Sequence, residues 1–149
     1  MRTYLFLIIT VLIGMFENVY ALSCSISADD LLFGTYDILS PSSTQIDTNL
    51  TVQCDGDASV QVNLSTGLSS NYTNRTMING SNTINYNLYT SSQYSVIWGD
   101  GSGVTDTVTF TLNAANSYTE QHKAYGSVSS QQLVPPGSYQ DQITASFDY

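Results

Sequence analysis

The chain has 149 residues, with 12 acids against 3 Lys and Arg, and a formal net charge of −9 at pH 7. So acidic a surface repels nucleic acid and anionic lipid, which excludes binders of either. Charged residues are only 10% of the chain, against about 25% in ordinary globular proteins, and Ser, Thr, Asn and Tyr stand in their place, as in exported β-proteins more than in cytosolic enzymes.

The first predicted element is a targeting segment. "MRTYLFLIITVLIGMF" places one Arg before an uncharged apolar run from Tyr4 to Phe16, and Glu17 and Asn18 end that run. Val19 and Ala21 then occupy the small-residue positions of a cleavage site. This is the layout of a secretory signal peptide over residues 1–21, too short to span a bilayer comfortably. A retained anchor is the alternative; cleavage leaves no membrane insertion. Residues 22–149 remain as one domain, long enough to bury a core. They keep only Arg75 and Lys123 as bases against eleven acids.

Two cysteines follow, Cys24 and Cys54. In an oxidising compartment an even count favours a disulfide. Closing about thirty residues would stabilise by roughly 3–4 kcal/mol on the chain-entropy estimate. The rival is a lipidated Cys24, but that signal wants Leu three places earlier, where "ALSC" has Ala21. Lipidation would also leave Cys54 unpaired.

Strand patterns dominate from here on, and no helical window stands out. "TQIDTNLTVQC" alternates through Ile46, Leu50, Val52 and Cys54. The turn "DGD" separates it from "ASVQVNLSTG", with Val60, Val62 and Leu64. "NTINYNLYT" presents Ile84, Tyr86 and Leu88, and "TDTVTFTLNA" presents Val108, Phe110 and Leu112. A shorter segment, "KAYGSVSSQQ", precedes the Pro135-Pro136-Gly137 turn. The last run extends from Tyr139 to Tyr149, with Tyr139, Asp141, Ile143, Ala145, Phe147 and Tyr149 on its inner face. Period-two alternation argues a half-buried strand. Short strands separated by Gly, Asn, Ser and Pro clusters read as an antiparallel sandwich. Seven strands close a minimal immunoglobulin-like sandwich; about six long runs are visible, and the chain stops on one of them.

Several stretches, taken in order, resemble one family. "CSISADDLLFGTYD" opens with a Cys, a short strand, Phe33-Gly34 and Tyr36-Asp37; "NRTMINGSNTINYNLYT", "WGDGSG", "AYGSV" and "LVPPGSYQDQITASFDY" follow. Together they resemble the spore coat protein U domain family, subunits of Csu-type archaic chaperone–usher pili. The resemblance implies an all-β, incomplete immunoglobulin-like sandwich lacking its last strand, completed by donor-strand complementation. Its implied partners are a periplasmic pilus chaperone, an outer-membrane usher and neighbouring pilus subunits. It also implies a path through the periplasm to a surface fimbrium, with roles in adhesion and biofilm. An accepting groove is expected on the inner face of the final strand, at Ile143, Ala145, Phe147 and Tyr149, with Phe33 and Tyr36 as its other wall. Ordinary subunits carry an extended segment before the first Cys. With cleavage after Ala21 that segment is short, so a tip or minor subunit is the expectation; the alternative is a self-contained secreted spore-coat or surface-binding protein.

No catalytic constellation is legible, and no cofactor or metal is expected. His122, in "TEQHKAYG", has no positioned nucleophile and reads as a loop or strand-end residue. "GDGSG" places Asp100 where a nucleophile elbow needs Gly. "DGD" and "WGDGSGVTD" match no calcium-loop spacing and read as turns. Asn49, Asn63, Asn71, Asn74 and Asn79 each begin an N-x-S/T triplet, as composition alone would produce. Trp98 reads as packed under a loop. Tyr94, Val96 and Ile97, in "SSQYSVIWG", form a candidate surface-binding loop if exposed, with core packing as the alternative.

Overall fold

The computed structural model describes residues 21–149; the expected signal peptide, Ala21 apart, lies outside them. The described residues form ten strands: β1 Cys24–Ala28, β2 Thr44–Cys54, β3 Ala58–Leu64, β4 Arg75–Asn79, β5 Asn82–Tyr89, β6 Ile97–Trp98, β7 Thr105–Asp106, β8 Val108–Leu112, β9 Thr119–Val128 and β10 Ala145–Asp148. They make two facing sheets. The larger runs β1-β2-β9-β5-β6-β7, with β4 also paired to β5; the smaller runs β10-β3-β8.

Local chemistry explains the connections. Asp55-Gly56-Asp57 carries the chain from β2 in the large sheet to β3 in the small one. Gly80, at φ +60°, opens the two-residue turn between β4 and β5. That first turn position takes a positive φ in a type II′ hairpin, where Gly carries no steric cost. Leu50 and Val52 of β2, Val60, Val62 and Leu64 of β3, and Phe110 and Leu112 of β8 alternate inward and are buried. These faces meet in one core.

Cys24 lies directly opposite Cys54 in the β1–β2 ladder, and the two are joined in a disulfide. The crosslink fastens an edge strand of only five residues to the longest strand of the sheet.

Three sequence expectations need correction. The run placed at Tyr139–Tyr149 is a paired strand only over Ala145–Asp148. The Asp141 side chain intervenes, bonding across to Tyr86 Oη and Leu68 N, and upstream the backbone pairs only as a bridge between Gln140 and Ile78. The first six residues of "KAYGSVSSQQ", Lys123–Val128, belong to a ten-residue strand, β9, which lies between β2 and β5, and Ser129–Gln132 lie beyond it. His122 therefore stands mid-strand. It is half-buried, its ring packed edge-on against Trp98 and Phe110 at centroid distances of 5.5 and 6.0 Å, with Nε2 3.0 Å from Thr90 O. A polar stretch hid the strand: Thr119–Lys123 pairs with β2 alone, and β5 joins only at Tyr125–Val128. "RTMIN", which carries little apolar alternation, is the further strand β4.

Candidate functional site

The inner face of the large sheet is wider than three short strands can cover. Part of the uncovered area is filled by the segment after β1. Leu31 and Phe33 lie on Gly126 of β9 so closely that a Cβ there would stand 2.6 Å from Leu31 Cδ2 and 2.8 Å from Phe33 Cζ. Phe33 also packs edge-on against Tyr86, at 5.8 Å. Tyr36 ties the same segment down: its hydroxyl donates to Ser129 O at 2.7 Å and accepts from Gln132 N at 2.8 Å. The Gln132 side chain then accepts from Asn85 N and donates to Asn85 O, taking the place of a paired backbone beside β5.

The remainder is a cleft of about 520 Å³, within the range of about 300–1,000 Å³ typical of binding pockets. Its floor is apolar, made by Leu50, Leu64, Met77, Tyr86, Leu88 and Ala124. One wall is the segment from Ala28 to Phe33, the other the segment Tyr139–Asp141 with Ile143 and Ala145. A shallower depression of about 210 Å³ beside the disulfide is lined by Ser23, Ser25, Gln53 and Asp55 with the two cysteines, and has no such floor.

Both strands that border the cleft are sheet edges. β1 pairs only with β2, and β10 only with β3, among the described residues. The two run past each other at the same opening. Ala28 and Ala145 both line the cleft, and at the other end the Tyr149 hydroxyl donates to Leu22 O at 3.3 Å. Their inward residues, Cys24, Ile26, Ala145 and Phe147, are only half-buried. An unpaired edge beside half-exposed apolar side chains is a template for another strand.

Of the residues singled out in the sequence, Phe33, Ile143 and Ala145 line this cleft. Tyr36, Phe147 and Tyr149 do not. Phe147 packs on the core and stacks with Tyr149 at 5.8 Å, and Tyr149 is 59% exposed. Tyr94, Val96 and Ile97 form no single exposed patch. Tyr94, at φ +51°, packs edge-on against Tyr89 and Tyr125, Ile97 sits in β6 paired with Tyr89, and Val96 alone is exposed. Trp98 is fully buried and donates from Nε1 to Val62 O at 3.0 Å.

The polar residue that organises the far side of the site, Arg75, had no signal beyond its isolated charge. It is fully buried, with no carboxylate partner among the described residues. Its guanidinium donates twice to Ser65 O, once to Trp98 O and once to Asn87 Oδ1, at 2.7–3.0 Å, so one side chain joins β4, β5, β6 and the end of β3. Ser65 in turn holds the approach to β10: its N–H donates to Thr144 O, and its Oγ accepts from Thr144 N. Burial pulls the Arg75 pKa below its ordinary value. Burial, then the hydrogen bond to Asp141, pushes the Tyr86 phenol well above its own. The turn "WGDGSG" is held by Asp100, whose Oδ1 accepts from Ser102 N and Oγ; these bonds lower its pKa. Among the described residues no cluster of His, Cys, Asp and Glu is arranged to hold a metal ion.

A family model described as the Spore Coat Protein U domain matches residues 12–146. No curated protein matches the sequence. Among solved structures, the fold is similar to a chain in the crystal structure of the CsuC–CsuE chaperone–tip adhesion subunit pre-assembly complex, from the archaic chaperone–usher Csu pili of Acinetobacter baumannii. The TM-score is 0.63 at 21% identity over 87% of this chain, which spans 40% of that one.

Proposed function

The chain belongs to the Spore Coat Protein U domain family, and we propose that it is a strand-accepting subunit of a chaperone–usher surface pilus. One observation carries the reading: two unpaired strand edges, β1 and β10, border the same apolar cleft with their inner faces half-covered. A single extended strand laid between them would pair its backbone with β10 and send alternate side chains into the cleft. The likeness to a subunit fold solved with its chaperone supports the same reading.

The mechanism follows from the edges. The free chain exposes backbone donors and acceptors beside apolar side chains, which invites aggregation. A periplasmic chaperone would protect it by lending a strand. At an outer-membrane usher, a strand from a neighbouring subunit would replace the chaperone's and link the fibre. The cleaved leader over residues 1–21 and display at the cell surface belong to the same proposal. So does adhesion, with no catalytic role for the chain. The finer part is a tip or minor place in the fibre, supported by the likeness to a tip adhesion subunit.

Periplasmic co-expression with a pilus chaperone tests it. The expected result is a one-to-one complex, with insoluble or degraded protein when the chaperone is omitted. A soluble, monodisperse chain without any chaperone would favour the self-contained secreted binding protein instead. Gold labelling of assembled fibres reads the position: label confined to fibre ends supports the tip place, and label along the shaft contradicts it.

A further inference from the structure

Tyr36, Tyr86, Tyr139 and Tyr149 each use their hydroxyl inside the protein, whereas those of Tyr89, Tyr94 and Tyr125 have no partner among the described residues. These three rings stand together on the outer face of the large sheet. In β9, Ala124, Gly126 and Val128 point into the core, so Tyr125 points out. In β5, Ile84, Tyr86 and Leu88 point in, so Tyr89 points out, directly opposite Tyr125 in the ladder. Tyr94 folds back from the β5–β6 loop onto both, at centroid distances of 5.6 and 6.2 Å and ring angles of 77° and 82°. The rings therefore meet as a notch and not as a closed stack, and all three are half-buried.

The Tyr94 ring is held there at a backbone cost. Its φ of +51° lies in the left-handed region, where glycine sits freely and an aromatic residue is strained. Strain of this kind persists where the fold over-determines it, and it gathers at ligand clamps. The rim of the notch is polar. Asp47 of β2 stands opposite Tyr125 and pairs with Lys123 at 2.7 Å, their side chains 40% and 52% exposed, and Asn49 stands opposite Lys123.

We propose that this patch is a binding site for a neutral oligosaccharide. A pyranose presents an apolar C–H face bordered by hydroxyls, and the patch presents aromatic rings bordered by phenol, carboxylate, ammonium and amide groups. A purely apolar partner would cover the three hydroxyls without meeting them. An anionic glycan would face a chain of net charge −9 whose exposed base at this place is already paired. The assignment does not rest on the strand-accepting reading, since the patch lies on the opposite side of the sheet from the cleft.

The test titrates short neutral oligosaccharides, of hexose and of N-acetylhexosamine units, and a hexuronate oligomer into the isotope-labelled chain, reading amide shifts. The expected result is saturable binding of a neutral oligomer, with shifts centred on Tyr89, Tyr94 and Tyr125, and weaker binding of the hexuronate. Tyr94→Gly removes one ring and relieves the backbone at once, so the rest of the spectrum should stay native while affinity falls about two- to tenfold. Tyr89→Ala should weaken binding by a similar factor. An alternating apolar peptide added in excess should leave the affinity unchanged, which separates this site from the cleft. No binding of any neutral oligomer up to about 10 mM, well above the weakest affinity of use, overturns the proposal. Full affinity in Tyr94→Gly, or tighter binding of the hexuronate, overturns it equally.

Discussion

The two ends of the sandwich are written in the same sequence pattern and come out differently. Around Trp98, the inward residues Val60, Val62 and Phe110 are fully covered, and the one buried charge among the described residues, Arg75, has its hydrogen bonds supplied by three neighbouring segments. Along β1 and β10 the inward residues Ile26, Ala145 and Phe147 alternate just as regularly but stay half-exposed, because no strand among the described residues faces them across the opening. An inner face is thus specified by alternation, whereas its cover is a matter of how many strands the chain supplies.

Substitutions at the closed end are expected to have the largest effects in the isolated chain. Arg75→Met would leave Ser65 O and Trp98 O without this donor in a buried site, and Asn87 Oδ1 with Leu88 N alone, at a cost of about 3–5 kcal/mol in denaturant unfolding. Arg75→Lys should restore little of it, since one ammonium cannot reproduce the planar fork. Trp98→Ala should cost a similar amount, about 3–5 kcal/mol. An Arg75→Met variant as stable as the parent would mean the closed end is not held as described.

Removing the crosslink comes next. Cys24→Ser with Cys54→Ser should lower stability by about 3–4 kcal/mol. It should also loosen β1, readable as faster amide exchange there than in β9. Gly126→Ala tests the filled part of the open end. Its Cβ would press on Leu31 and Phe33, at an expected cost of about 1–3 kcal/mol, with Phe33→Ala as the partner substitution that relieves it.

Phe147→Ala sharpens the contrast. In the free chain a half-exposed ring should cost only about 1–2 kcal/mol, and with a strand bound the cost should rise toward the 3–5 kcal/mol of a buried one. Equal costs in both states would mean the ring's surroundings do not change on binding. The smallest expected effect is one of pH. The Tyr86 phenol, buried and bonded to Asp141, has its folded-state pKa raised above the ordinary value. Its contribution is complete below about pH 10, where the unfolded phenol is still protonated, and is lost as the pH rises further. Tyr86→Phe should flatten that alkaline decline in melting temperature.

Much of the fold was legible because its core strands alternate cleanly. Leu50 and Val52, Val60 and Val62, and Phe110 and Leu112 announced the inner faces, and "DGD" announced a turn. β9 was only half legible, since Thr119 to Lys123 is polar and His122 takes an inward place that an apolar residue would have marked. β4 was not legible at all: its burial comes from Arg75, which satisfies carbonyls brought near only by the folded chain. The site divided in the same way. Ile143 and Ala145 were readable from alternation and line the cleft. Tyr36 instead became a hydrogen-bonding clamp, and Asp141, the one acid on the inner face of the last run, breaks the strand to reach Tyr86.

The most direct measurement is a thermal melt of the purified chain, alone and with an alternating apolar peptide at a hundred times its dissociation constant. An open sandwich completed by an added strand should gain about 2.7 kcal/mol, a rise of roughly 5–15 °C, and a scrambled peptide at the same concentration should give none. A melting temperature that no alternating peptide moves, at any concentration reached, would mean that the cleft between β1 and β10 is not an unfilled strand position, and would contradict the account at its centre.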